Sequence, residues 1–280
     1  MNNLRQITII TLRKLASDII TVTIFALVLA GSSHAAQQNT IVSALLSMTG
    51  VTNQVQSLKD LVAESSKANA RRCGSKPINR ELPGYSAESV NFDIESALTR
   101  ISSTSLEPIY RWFQSPLAAK IRIAEKSVVD YDSLRNFLQT ELYRDPIRKE
   151  LVQRIAANTQ TLEFLATLST EIEYAGIAHS GCIEKAAKPG KANREQMLAD
   201  FTRNDKDLTA ELLMSDITAE TAYLFRNLTK EELTRYASYS SEDNARQFYQ
   251  NLITAVQHGL KLAGDRISLA QNTDRTKFAL

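Results

Sequence analysis

The sequence predicts an all-α protein, a helical bundle of about seven to nine helices, and three observations carry that reading. Apolar residues recur at helical spacing nearly throughout Thr40–Gly264. No run alternates apolar and polar residues for long enough to make a strand. Only 9 Gly and 6 Pro are spread over 280 residues to interrupt helices. A hydrophobic content of 43% supplies a core and, with 23% charged residues, separates the chain from collagen-like, low-complexity and disordered compositions.

Taken in order, Ile41, Leu45 and Met48 and then Val51, Val55, Leu58, Leu61 and Val62 form two short apolar stripes broken at Gly50. Residues 69–85 (NARRCGSKPINRELPGY) combine Pro, Gly and charge and read as a long loop. Ser86 is placed to cap a helix through Val90, Ile94, Leu98 and Ile101. Ser115–Pro116 and Asp145–Pro146 are the best-marked helix starts, because the cap side chain accepts an orphan N–H and proline at N1 has none to lose. From Ile147 no Gly or Pro intervenes before Gly176, which predicts one helix of about 30 residues, roughly 45 Å long, as a central strut. Residues 183–194 (IEKAAKPGKANR) read as the connector between two halves, with helices resuming near 195 and 207. Thr229 and Glu232 form a capping box before Leu233, Tyr236 and Tyr239. A last helix from about Ser241 carries Phe248, Leu252, Val256, Leu260 and Ile267.

The first 35 residues have a different character. Arg5, Arg13 and Lys14 precede an apolar run over residues 19–30 (IITVTIFALVLA), followed by the small residues Gly31, Ser32, Ser33, Ala35 and Ala36. Basic region, apolar region and small-residue cleavage site in that order predict a secretory signal peptide cut after Ala35, with Ala36 as the alternative. The apolar run is shorter than the roughly 20 residues that span a bilayer, so no transmembrane anchor is expected after cleavage. The expected organisation is therefore a signal peptide over 1–35, a single all-helical domain over 36–268 built from two related halves (about 86–176 and 195–267), and a flexible tail over 269–280. Without the leader the basic and acidic side chains are equal in number, which removes the electrostatic case for a nucleic-acid partner.

Export gives the two cysteines a meaning. Cys73 and Cys182 would reach an oxidising compartment, where a bridge between them is the default expectation. It would close a loop of about 110 residues, for which chain entropy allows on the order of 4–5 kcal/mol. Neither a C-x-x-C pair nor a ligand set of fixed spacing favours redox or zinc work instead.

A weak internal repeat sets Tyr110, Phe113, Ser115, Ala119 and Lys120 against Tyr236, Tyr239, Ser241, Ala245 and Arg246 at one constant offset. Each half would hold a helix ending in two aromatics one turn apart, a Ser cap and a further helix. The segment Tyr110–Lys120 (YRWFQSPLAAK), the later Leu228–Leu233 (LTKEEL) with its aromatic-Ser-Ser sequel, and the early Leu45–Gly50 (LLSMTG) resemble the secreted helical bacterial proteins grouped as domain of unknown function 2059. That resemblance implies a periplasmic helical domain without an established activity, and it brings no catalytic residues.

Catalytic signatures are scarce. His179 and His258 are the histidines beyond the leader, and neither belongs to H-E-x-x-H or follows a Glu by three residues. There is no G-x-S-x-G elbow, Walker loop or G-x-G-x-x-G turn, so no cofactor or metal is expected. Glu171 and Glu173, two apart on a helix, read as a solvated face, and His179 as a surface or loop residue. Lys185, Lys188, Lys191 and Arg194 read as a solvated loop, with anionic lipid headgroups as the functional alternative. Tyr110, Trp112, Phe113, Tyr236 and Tyr239 are candidate groove aromatics for a peptide, lipid or glycan, set against plain interhelical packing. The expectation is an exported periplasmic or secreted bacterial envelope protein that binds a protein, peptide or lipid without catalysis. The alternative is an enzyme of unrecognised type using His179 or His258 with nearby acids.

Overall fold

In a computed structural model, residues 34–74, 85–102, 106–127, 129–140, 142–180 and 218–278 are described. They are helical, with no strand among the described residues. The helices are α1 His34–Met48, α2 Val51–Arg72, α3 Ala87–Ile101, α4 Glu107–Phe113, α5 Pro116–Glu125, α6 Tyr131–Thr140, α7 Pro146–Asn158, α8 Thr161–Ser180, α9 Lys230–Ser240 and α10 Asp243–Phe278, with 3-10 turns at Leu142–Arg144 and Phe225–Asn227. The leader through residue 33, Cys182, the connector 183–194 with its four basic residues, and the helices expected near 195 and 207 lie outside the described residues.

Four helix starts form by the chemistry their sequences carry. Ser86, Ser115 and Asp145 accept the backbone N–H of Ser89, Ala118 and Arg148 at 3.0, 3.2 and 3.1 Å. Thr229 and Glu232 complete a capping box, with bonds of 3.2 and 2.8 Å between each side chain and the other's backbone N–H. Gly50 separates α1 from α2 at φ 78°, a left-handed conformation that costs glycine nothing and other residues about 1–2 kcal/mol.

Three expectations need correcting. The central strut is two helices: α7 ends at Asn158 and α8 begins at Thr161, with Gln160 between them at φ 52°. The break needs no Gly or Pro: Gln160 itself takes the left-handed conformation, and beside it the Thr159 hydroxyl bonds the Ile155 carbonyl at 2.9 Å and meets the Thr161 hydroxyl at 2.8 Å. The loop expected over 69–85 begins late, since α2 continues through Asn69 to Arg72. Ser241 does not repeat the capping role of Ser115. Its hydroxyl donates back to the Ser238 carbonyl at 2.7 Å, and α10 starts at Asp243 and stays helical through Phe278, beyond the expected end near Ser268.

The core forms where α10 packs along both α3 and α8, with α2 laid along α8 and also touching α3. Helices α3 and α10 run antiparallel: Asp93 pairs with Arg266 at 2.7 Å and Arg100 approaches His258 at 3.5 Å. Gly259 permits this packing, because a Cβ there would collide with Ile94. Leu45, Leu58, Ile94, Leu98, Leu168, Leu233, Phe248 and Ile267 are fully buried. Across the sequence interval outside the described residues, Arg148 of α7 donates to the Phe225 and Leu228 carbonyls at 3.0 and 2.9 Å, and Lys230 reaches Asp145 at 3.1 Å. These bonds fasten the start of α7 to the turn that leads into α9.

Candidate functional site

Helices α4 and α9 bring most of the predicted aromatics to one junction. The Trp112 ring lies on Tyr239 with centroids 3.9 Å apart and planes 13° from parallel, and Tyr236 follows at 6.3 Å. Phe225 meets Tyr236 edge-on at 6.0 Å. Phe113 points elsewhere, to Phe248 at 6.0 Å, and Phe248 in turn meets Tyr249 at 5.5 Å. Of the pairs in the predicted repeat, Tyr236 and Tyr239 thus meet Trp112, and Phe113 packs on α10. Phe113, Tyr236 and Tyr239 are buried, whereas Tyr110 and Trp112 are half-buried against the core. The side of the set nearest solvent is therefore the one formed by Tyr110 and Trp112. The Tyr239 hydroxyl is buried with no hydrogen-bond partner among the described residues, an unusual expense for a phenol in a core.

At the same junction sits a residue that sequence reasoning missed. Glu125, the last residue of α5, is half-buried and interacts electrostatically with Arg122 one turn back and with the phenols of Tyr236 and Tyr249. Burial pushes its carboxyl up to about 7, with Arg122 opposing the shift. Arg122 is only a partial counterion, because its Nη1 donates to the Phe113 carbonyl at 2.5 Å. Burial raises the Tyr236, Tyr239 and Tyr249 phenols as well. A signal did exist in the sequence: an acid in the last turn of a helix opposes the macrodipole, and such locally unfavourable choices mark positions set by something else.

The second cluster is a polar seam between α2 and α8. Ser65 and Asn69, one turn apart, donate to Glu173 at 2.7 and 3.0 Å, and Arg72 approaches the same carboxylate at 3.6 Å. Ser66 and the Nδ1 of His179 are 2.8 Å apart, and both residues are buried. A Cβ on Gly176 would overlap Ser65, so the helices approach closely where glycine faces serine. Glu173 is accordingly no solvated acid and His179 no surface histidine, as the sequence predicts them to be. Burial lowers the His179 pKa, which favours the neutral ring.

The chemistry this seam can perform is limited by access. A serine and a histidine at hydrogen-bond distance resemble a nucleophile and its base, but Ser66 is 3% and His179 2% exposed, which leaves no room for a substrate. His258 is exposed and approaches Arg100 of α3, so the two histidines face different helices. Among the described residues no group of His, Cys, Asp and Glu is arranged to hold a metal ion, and no helix is long and apolar enough to cross a membrane. Cys73 caps the carboxyl end of α2. No family model, curated protein or solved structure matches the chain.

Proposed function

We propose that this chain is an exported helical protein of the bacterial cell envelope that binds a protein, peptide or lipid there and catalyses no reaction. The observation that carries the non-catalytic reading is the fate of the two histidines. His179 is sealed against Ser66 between α2 and α8, and His258 stands apart on α10 beside Arg100. The basic, apolar and small-residue order of residues 1–35 supports export, as does the resemblance to secreted helical proteins. For binding, the half-buried edge at Tyr110 and Trp112 is the region where amphipathic rings reach solvent.

A Cys73–Cys182 bridge belongs to the same reading. Cys73 is not a free thiol. Intact-mass measurement on the protein recovered from periplasm or medium tests export, with loss of the residues up to Ala35 expected and retention of Met1 opposing it. Thiol titration of the denatured, unreduced protein should find no free thiol, and two free thiols would remove the bridge. Cross-linking in cells followed by mass spectrometry should recover one reproducible partner. Substituting Ser66→Ala discriminates the enzyme reading, because any activity that disappears with Ser66 would make the seam catalytic.

A further inference from the structure

The outer face of α10 differs in kind from that of α2. Between Arg246 and Lys261 the sequence holds no Asp, Glu, Lys or Arg, although 23% of the chain is charged. Over that stretch α10 exposes Gln247, Gln250, Thr254, Gln257 and His258. On α2 the exposed residues are Lys59, Asp60, Glu64, Lys67, Arg71 and Arg72, with Gln56 the one among them that lacks a charge. A helix that meets only water takes charges of both signs on its outer side, as α2 does.

The uncharged residues of α10 are also aligned. Positions i, i+3, i+7 and i+10 put Gln247, Gln250, Thr254 and Gln257 in one row, about 15 Å long at the helical rise. Gln247 donates its amide to the Asn251 side-chain oxygen at 2.9 Å, which orders the start of the row. The Thr254 hydroxyl donates to the Gln250 backbone carbonyl at 3.0 Å and keeps its oxygen as an acceptor. Charge returns at both ends, where Arg246 pairs with Asp243 at 2.6 Å and where His258 lies 3.5 Å from Arg100. Amides carry a donor and an acceptor together, and they lose far less than charged groups do when water is removed. A sugar hydroxyl likewise both donates and accepts. The row offers no ion pair to a charged ligand and no apolar area to a lipid chain.

We propose that the outer face of α10 from Gln247 to Gln257 is a binding surface for a neutral oligosaccharide, whose hydroxyls exchange hydrogen bonds with Gln247, Gln250, Thr254 and Gln257. It adds a ligand class to the protein, peptide or lipid proposed above, and it stands on α10 alone.

The test is a titration of the full, isotope-labelled chain, read on its glutamine and asparagine side-chain amide signals in nuclear magnetic resonance spectra. The probes are tetra-N-acetylchitotetraose and maltotetraose, both neutral, with tetragalacturonate as the anionic counterpart. At least one neutral probe should shift the Gln247, Gln250 and Gln257 amides saturably, with a Kd of about 1 mM or tighter. The anionic probe should bind at least about tenfold more weakly. Combining Gln250→Ala with Gln257→Ala, exposed positions where alanine favours the helix, should weaken neutral binding about tenfold and leave helicity unchanged. Absence of a saturable shift with both neutral probes, equal or tighter binding of tetragalacturonate, or unchanged affinity in the double variant overturns the proposal. Shifts that follow protein concentration alone would make a second copy of the chain the occupant, and overturn it as well. Should the double variant fail to fold, the native chain decides: saturable shifts confined to the α10 amides support the surface, and shifts centred elsewhere overturn it.

Discussion

The polar seam of α2 and α8 and the aromatic junction of α4, α5, α9 and α10 solve the same packing task with opposite materials. At the seam the side chains are small, Ser65, Ser66 and Gly176, so the backbones come close and the buried polar atoms find partners across the gap. At the junction the side chains are large, Trp112, Tyr236, Tyr239 and Phe248, and ring stacking fills the space. One polar atom there stays unserved among the described residues, the buried Tyr239 hydroxyl. Close approach satisfies hydrogen bonds and tolerates no added volume. Large rings supply area and leave polar groups stranded.

The contrast can be broken by substitution. The largest loss is expected at the junction, where Phe248→Ala removes a fully buried ring that meets both Phe113 and Tyr249 and should cost about 3–5 kcal/mol in denaturant unfolding. At the seam, Gly176→Ala should cost about 1–3 kcal/mol through overpacking against Ser65. The sign is informative, because Gly→Ala in an exposed helix stabilises by about 1 kcal/mol. Adding Ser65→Gly should recover part of the loss, and strict additivity in the double-mutant cycle would refute the close approach.

Acidity should separate the two regions further. His179 has a lowered folded pKa, so the unfolded chain binds more protons near and below about 6.5, and the seam's contribution is lost as pH falls through that range. Glu125 has a raised folded pKa, so the folded chain binds more protons, and the junction's contribution declines as pH rises from the ordinary glutamate range through about 7. Melting temperatures against pH should therefore lose their acid-side fall in His179→Asn and their neutral-side fall in Glu125→Gln. The smallest effect belongs to Lys120→Ala. It breaks a half-exposed pair with Glu232 and should cost no more than about 1 kcal/mol in the same melts.

Much of the first level of organisation was legible before any coordinates. Ser86, Ser115, Asp145 and the Thr229–Glu232 box each start a helix because the signal and its bonding partner lie within three residues of each other. The failures share one cause. The break between α7 and α8 turns on Gln160 in the left-handed conformation, which a glutamine seldom takes and its sequence does not announce. Glu173 read as solvent-facing because a polar stripe looks alike whether water or another helix covers it. Of the candidate aromatics, the set itself was visible as residue type, and the stack of Trp112 on Tyr239 was not, since it joins residues far apart in the chain.

The amino-acid order alone determined that the chain would be helical and where several helices begin, because helical period and capping are local properties written within a turn or two. Which polar faces are buried and which histidine is sealed away were decided only when α8 came to lie against α2. Desolvation depends on what covers a group, and that cover arrives from distant parts of the chain.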